Sequence, residues 1–374
     1  MKQKKTLNYL GILLLFINYA TYGQKTELRL QGILDSTYQA NQDAVGIMIH
    51  VEAPNKNISW TYAVGYADKG KKTKLNKDQP VLIASNTKTY VSASILKLVE
   101  MKRLELSQPI ANLVLTRTKK LMEEKGYQVN KITIRNLLSH TAGITDYVDE
   151  SYFKTVGENP QHQWTRDEQI QLAMKIAKPM EPGGTFSYGD INYLLLTEIM
   201  ENNTGKSFYR SISELLDFKK LNLNATWFVD LELQPAQTLA LAHQYSDAYH
   251  WDSSELNPSW DLYDGGGMAA NMKDLALFFQ YLFEGRIIKD KKVLSEIYTY
   301  SITRAATNNY CLGLYNFPSF HGTRGYYHGG WWGTDVMYFP ELNATVSVVT
   351  LLKEKRDINA DVSHKIMDEL KAIK

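Results

Sequence analysis

The chain has 374 residues and a single cysteine, Cys311. An intrachain disulfide is therefore excluded, and so is a lipid-bearing cysteine just behind the N-terminal segment. Charge of one sign is also lacking: 42 basic residues stand against 40 acidic ones, for a net charge of +2. That balance gives no pull towards nucleic acid or an anionic surface. No two histidines sit at ligand spacing on a helix with a glutamate, which argues against a zinc hydrolase; no metal or cofactor is expected. Gly265-Gly266-Gly267 is not followed by Gly-Lys-Ser/Thr, so it is not a phosphate loop. There is no internal repeat and no low-complexity segment.

The N-terminus carries the most distinct apolar run, and it is short. Lys2, Lys4 and Lys5 precede Leu10 to Ala20, and Thr21-Tyr22-Gly23 follows with small residues. This reads as a secretory signal over 1–23 with Gln24 as the mature start; an uncleaved anchor is the alternative. An exported chain without disulfides fits a bacterial envelope, so a secreted or periplasmic location is expected, with no stable membrane span after cleavage.

The remainder is 44% hydrophobic and 22% charged, enough for one large core. Leu28, Leu30, Ile33 and Leu34 recur at helical spacing over Glu27 to Asn41. Val45 to Val51 and Ile58 to Ala67 read as a hairpin. From Leu104 to about Asp230 short helices and loops dominate. Strands return at Tyr310 to Phe317, Tyr326 to His328, Thr334 to Phe339 and Thr345 to Leu352, and a helix covers Ile358 to Ile373. Strands at both ends of the chain most simply share one sheet. The expected fold is α/β (α+β): an antiparallel sheet flanked by the terminal helices, with an inserted, mostly helical subdomain. The division is a single catalytic domain over 24–374, with the sheet at about 24–100 and 300–374 and the helical part at about 101–299.

Chemistry enters at Ala84-Ser85-Asn86-Thr87-Lys88, where an apolar run opens a helix. Ser85 and Lys88 are one turn apart and share a face. A serine hydroxyl needs a partner to take its proton, and a lysine with a lowered pKa can do so. Alone, the same residues also read as a helix cap and a solvated lysine. In Pro182-Gly183-Gly184-Thr185-Phe186-Ser187-Tyr188-Gly189-Asp190, glycines and a proline hold Tyr188 before a helix; Tyr188 can relay protons, and Asp190 can cap that helix. In Tyr326-Tyr327-His328-Gly329-Gly330-Trp331, glycines on a strand allow close approach of another chain or a ligand.

These three stretches, in this order, resemble the serine β-lactamase and penicillin-binding-protein superfamily, in its class C β-lactamase, D-alanyl-D-alanine carboxypeptidase and esterase branch. Leu137-Leu138-Ser139-His140-Thr141-Ala142-Gly143 and Gly266-Gly267-Met268 are similar to further stretches of that branch. The resemblance covers about Ala44 to Leu352. It implies a serine hydrolase that forms an acyl-enzyme on Ser85, with Lys88 and Tyr188 sharing the proton work. It implies substrate contacts from Asp190, His328, Gly330 and Trp331, and an oxyanion hole from the backbone N–H groups of Ser85 and Trp331. The substrate would be a small ester, D-amino-acid peptide or related amide, peptidoglycan peptide included. A β-lactamase is the alternative within enzymes, and a catalytically silent cell-wall peptide binder the alternative outside them. The middle motif of the family usually ends in asparagine, and here it ends in Asp190, which accepts hydrogen bonds but cannot donate them. The last motif of this branch is often His-x-Gly, as at His328; related enzymes with lysine there have a permanent cation, whereas an unperturbed histidine would be charged only below ~6.5.

Overall fold

The computed structural model describes residues 25–263, 265–300 and 309–373; the expected signal over 1–23 lies outside them. Seven strands form the main sheet: β1 (Gly46–Ala53), β2 (Ile58–Asp68), β3 (Thr73–Lys74), β4 (Tyr315–Phe320), β5 (Thr323–Gly329), β6 (Thr334–Phe339) and β7 (Ala344–Thr350), in the order β3-β2-β1-β7-β6-β5-β4. Every neighbouring pair is antiparallel. The two ends of the chain meet at β1 and β7, where Ile47 lies opposite Thr350 and Val51 opposite Val346.

Alternation along these strands splits the core in two. Ile47, Ile49 and Val51 join Val346 and Val348 on one face, under Leu30 and Leu34 of helix α1 (25–40) and Val362, Ile366 and Leu370 of the C-terminal helix Asp357–Ala372. Met48 and Val349 point to the other face, into the larger core. There the helix Met272–Phe283 packs on β1, β6 and β7. In the division expected from sequence that helix fell in the helical part; by packing it goes with the sheet.

The helical region is built on two helices that are buried nearly all round, α2 (Thr87–Glu100) and α3 (Ile191–Thr204), packed against each other. Helix Ile134–Leu138 starts at a capping box between Thr133 and Asn136, and Arg166–Lys175 at one between Thr165 and Glu168. Helices Thr116–Glu124 and Glu150–Glu158 lie in the stretch where short helices and loops were expected. A three-stranded sheet of Val81–Leu82, Met268–Ala270 and Thr226–Phe228 was not expected; its strands are too short to show a period. The strand expected from Tyr310 begins only at Tyr315. Gly313, at φ +81°, turns the chain there, and its N–H bonds the Leu138 carbonyl at 3.2 Å. A Cβ at Gly313 would sit 2.6 Å from Cβ of Ser92. Among the described residues no helix is long and apolar enough to cross a membrane.

Candidate active site

Ser85 sits in a tight turn, Ala84–Asn86, that leads into α2. The turn is pinned at the carbonyl of Ile83, which accepts from the Asn86 N–H at 3.1 Å, Asn86 Nδ2 at 2.9 Å and Thr334 Oγ1 at 3.1 Å. The N–H of Ile83 donates to Met268 O at 2.9 Å, so the Gly266-Gly267-Met268 stretch lies beside the approach to Ser85. Ala84 has φ +44°. A left-handed alanine costs of the order of 1–3 kcal/mol and persists only where its surroundings hold it. Leu82 is clamped on both backbone groups by the buried Gln244, whose Nε2 also donates to Trp332 O at 2.8 Å. One amide thus ties the segment before Ser85 to the segment after Gly330.

Ser85 is half-buried, and Lys88 Nζ donates to its Oγ at 3.1 Å. Lys88 has no exposed surface and lies 2.7 Å from Asp190 Oδ1. Its ammonium also sits 5.4 Å from the ring centre of Tyr188 and 5.6 Å from that of Tyr193. The Tyr188 hydroxyl shares a hydrogen bond with Ser85. Burial pushes this phenol well above its ordinary pKa, against the opposing pull of the Lys88 charge.

The structure decides between two readings of Asp190. Although it is the first residue of the α3 start, its side chain makes no capping bond. The Ile191 N–H is taken instead by Asp146 Oδ1 at 3.2 Å. Asp190 is thereby free of the cap and faces Lys88.

His140 and His328 are both 1% exposed. The Gly189 N–H donates to His140 Nδ1 at 3.2 Å, which leaves the ring proton on Nε2, 3.2 Å from Tyr310 Oη. Tyr310 Oη lies 3.3 Å from His328 Nε2, and His328 Nδ1 lies 3.0 Å from Gly329 O. One chain of polar groups therefore links the loop of Tyr188 to β5. Burial, and then the charge of Lys88, hold His328 down to about 3 and His140 well below its ordinary value. The expectation that His328 presents an ionisable ring to substrate is thus corrected: the ring is spent on Tyr310 and Gly329, inside the protein.

Gly330 meets the turn of Ser85 directly. Its N–H donates to Thr334 O at 2.6 Å, and a Cβ on it would lie 2.2 Å from Ile83 O. The close approach expected of these glycines is made by the protein's own backbone. Trp331 is half-buried in an aromatic wall with Trp251, Trp260 and Trp332, and Lys353 Nζ stands 4.7 Å from its ring centre. The structure therefore brings Ser85, Lys88, Tyr188 and Asp190 into one polar cluster and sets Gly330 against it. Asp146, Tyr310 and Gln244 were not foreseen. Asp146 and Gln244 act on elements more than forty residues away and Tyr310 joins His140 to His328, and no local spacing marks them.

A sheet carrying a tight serine turn against a buried lysine defines a serine hydrolase. The chain belongs to the Beta-lactamase family, whose model matches residues 34–364. Protein flp of Staphylococcus aureus (strain COL) is 28% identical over 229 residues, 54% of this chain; the chain spans 44% of the length of that relative. The fold is similar to D-amino acid amidase from Ochrobactrum anthropi SV3, solved with L-phenylalanine amide, with a TM-score of 0.78, 22% identity and coverage of 93% of this chain and 99% of that one. It is also similar to the octameric penicillin-binding protein homologue from Pyrococcus abyssi, with a TM-score of 0.72, 21% identity and coverage of 90% and 76%.

Proposed function

We propose that this chain is an exported serine hydrolase that opens small esters or D-amino-acid amides and peptides through an acyl-enzyme on Ser85. The observation that carries the reading is the 3.1 Å contact between Ser85 Oγ and a fully buried Lys88 Nζ. Lys88 and Tyr188 handle the protons. The N–H groups of Ser85 and Trp331 stabilise the tetrahedral oxyanion, each donor being worth a few kcal/mol. Gly330 sets the spacing of those donors, and the aromatic wall of Trp331 fits an apolar substituent. The fold likeness to a D-amino acid amidase supports the amide branch of this reading. Asp190 cannot donate to an amide carbonyl, and His328 stays neutral, which favours neutral substrates over β-lactams and free carboxylates. The test is a panel of p-nitrophenyl esters, D-amino-acid amides, D-Ala-D-Ala peptides and a chromogenic cephalosporin, with intact-protein mass spectrometry of trapped adducts. Turnover of esters or D-amides with an acyl mass on the Ser85 peptide is expected. Binding of D-Ala-D-Ala peptide with no turnover of any member would instead make the chain a silent binder.

A further inference from the structure

Lys88 Nζ lies between two oxygens, Ser85 Oγ at 3.1 Å and Asp190 Oδ1 at 2.7 Å. The lysine has no exposed surface and the carboxylate side chain is 14% exposed. A lysine this close to a carboxylate in the interior rests as an ion pair, because each charge offsets the desolvation of the other. A resting ammonium has no lone pair for the Ser85 proton. Tyr188 offers no phenolate in its place, since burial keeps it protonated. Where the middle motif of the family usually ends in an asparagine, this chain has a group that can take a proton.

We propose that Asp190 is the proton sink of a Ser85–Lys88–Asp190 relay. This rests on Ser85 being the nucleophile. As Ser85 Oγ bonds to the acyl carbon, its O–H bond breaks and an N–H bond forms on Lys88. In the same step another N–H bond of Lys88 breaks and an O–H bond forms on the Asp190 carboxylate. Lys88 keeps its charge throughout, and the negative charge moves from Asp190 to the tetrahedral oxyanion. When the intermediate collapses, Lys88 passes a proton to the departing oxygen or nitrogen and Asp190 returns its proton to Lys88. Water then deacylates Ser85 by the same route. In the relay Asp190 acts through Lys88 and is a positioning residue for its proton.

The other charged and titratable groups around the pair are engaged elsewhere or neutral. Tyr188 from its loop, Tyr193 from α3 and Tyr315 from β4 all feel the Lys88 charge, as do His140 and His328. Burial pushes the phenols up and the imidazoles down, so all five are neutral at working pH. Tyr310, which joins the two imidazoles, is pushed up in the same way. Arg356 behind β5 is paired with Asp335 at 2.6 Å, and Asp146 caps α3.

The experiment is the pH profile and proton inventory of pre-steady-state acylation by p-nitrophenyl acetate in wild type, Asp190→Asn and Asp190→Glu. In wild type the inventory is curved, with two protons in flight. In Asp190→Asn the acid limb moves to higher pH by more than about one unit, since a lone Lys88 must shed its proton, and the inventory becomes linear. Asp190→Glu keeps the low limb at reduced rate. An unmoved limb in Asp190→Asn, or a linear inventory in wild type, overturns the relay; the wild-type inventory decides even where a variant fails to fold. Ser85→Ala is run alongside. If it still turns over ester, the nucleophile reading fails; if it is inactive while the limb stays put, only the relay fails.

Discussion

The carbonyl oxygen of Ile83 occupies the space that a side chain on residue 330 would need. A Cβ at Gly330 would lie 2.2 Å from that oxygen and 2.3 Å from Thr334 Oγ1. Both neighbours are fixed, the first by three donors and the second by its bond to Ile83 itself. Gly330→Ala must therefore push the segment after β5 away from the turn of Ser85 and separate the two N–H groups proposed as oxyanion donors. The expected loss in kcat is about 10²–10³, the usual cost of one misplaced donor. Gly32→Ala in α1, where nothing lies within 4 Å of the new methyl, should leave kcat unchanged. A Gly330→Ala enzyme within threefold of wild type would show that the contact does not set the donors.

Ser85 is the expected site of covalent chemistry. A fluorophosphonate probe should add one label to the peptide that contains it, and Ser85→Ala should lose the label while its melting temperature changes little. The half-buried hydroxyl makes no bond on which the turn depends; the turn is held through Ile83, Asn86 and Thr334. Normal labelling of the variant would remove Ser85 from the mechanism.

Lys88 separates charge from proton transfer. Lys88→Arg keeps a cation beside Asp190 but cannot accept a proton at working pH. Loss of a general base costs a factor of about a hundred or more, so acylation rates of Lys88→Arg and Lys88→Ala should both fall by that much. If arginine restores activity to within tenfold, Lys88 is only a charge, and the Ser85 proton leaves by another route.

The parts of this site that were legible in the sequence are those whose chemistry is local. Ser85 and Lys88 are one helical turn apart, and Tyr188 is framed by glycines and proline, so spacing alone raises them. The sheet could be placed because β1 and β7 are apolar runs bounded by turn residues. What could not be read is set by contacts between distant elements. Whether Asp190 caps α3 or faces Lys88 depends on Asp146, forty-four residues upstream. Whether His328 titrates depends on Tyr310 and on burial by β4, neither of which shows in a three-residue motif. The strand expected at Tyr310 failed for the same reason: Gly313 is turned by its fit against Ser92 in α2, not by its neighbours in sequence.

The two buried imidazoles should make the protein acid-sensitive. Both are held below 6.5 in the folded state, His328 down to about 3. Between those values the unfolded chain binds protons that the folded chain refuses, so stability falls as pH drops below about 6.5, by about 1.4 kcal/mol per pH unit for each imidazole. Urea unfolding at pH 7 and pH 5 should show this fall in wild type. His328→Gln should lower stability at pH 7, because Tyr310 loses a partner, but should show a smaller drop between the two pH values. An equal drop in wild type and variant would mean that His328 is not buried neutral.

The same burial decides how the cleft treats a substrate carboxylate. A histidine that faced the cleft with an ordinary pKa would gain charge between pH 8 and 5.5 and would attract carboxylates more strongly in acid. With His328 held down to about 3 and its ring bonded to Tyr310 and Gly329, no such charge develops in that window. The measurement is kcat/KM for a carboxylate-bearing ester divided by that for its neutral methyl ester, on one enzyme, so that the pH dependence of the shared chemical step cancels. The ratio should be flat from pH 8 to 5.5. His328→Lys would place an ammonium beside Tyr310, where the cost of burying it drives its pKa down or its amine towards the cleft; a pH-dependent ratio should then appear where wild type has none. A wild-type ratio that rises with a midpoint near 6.5 would show that His328 swings out to read the substrate carboxylate.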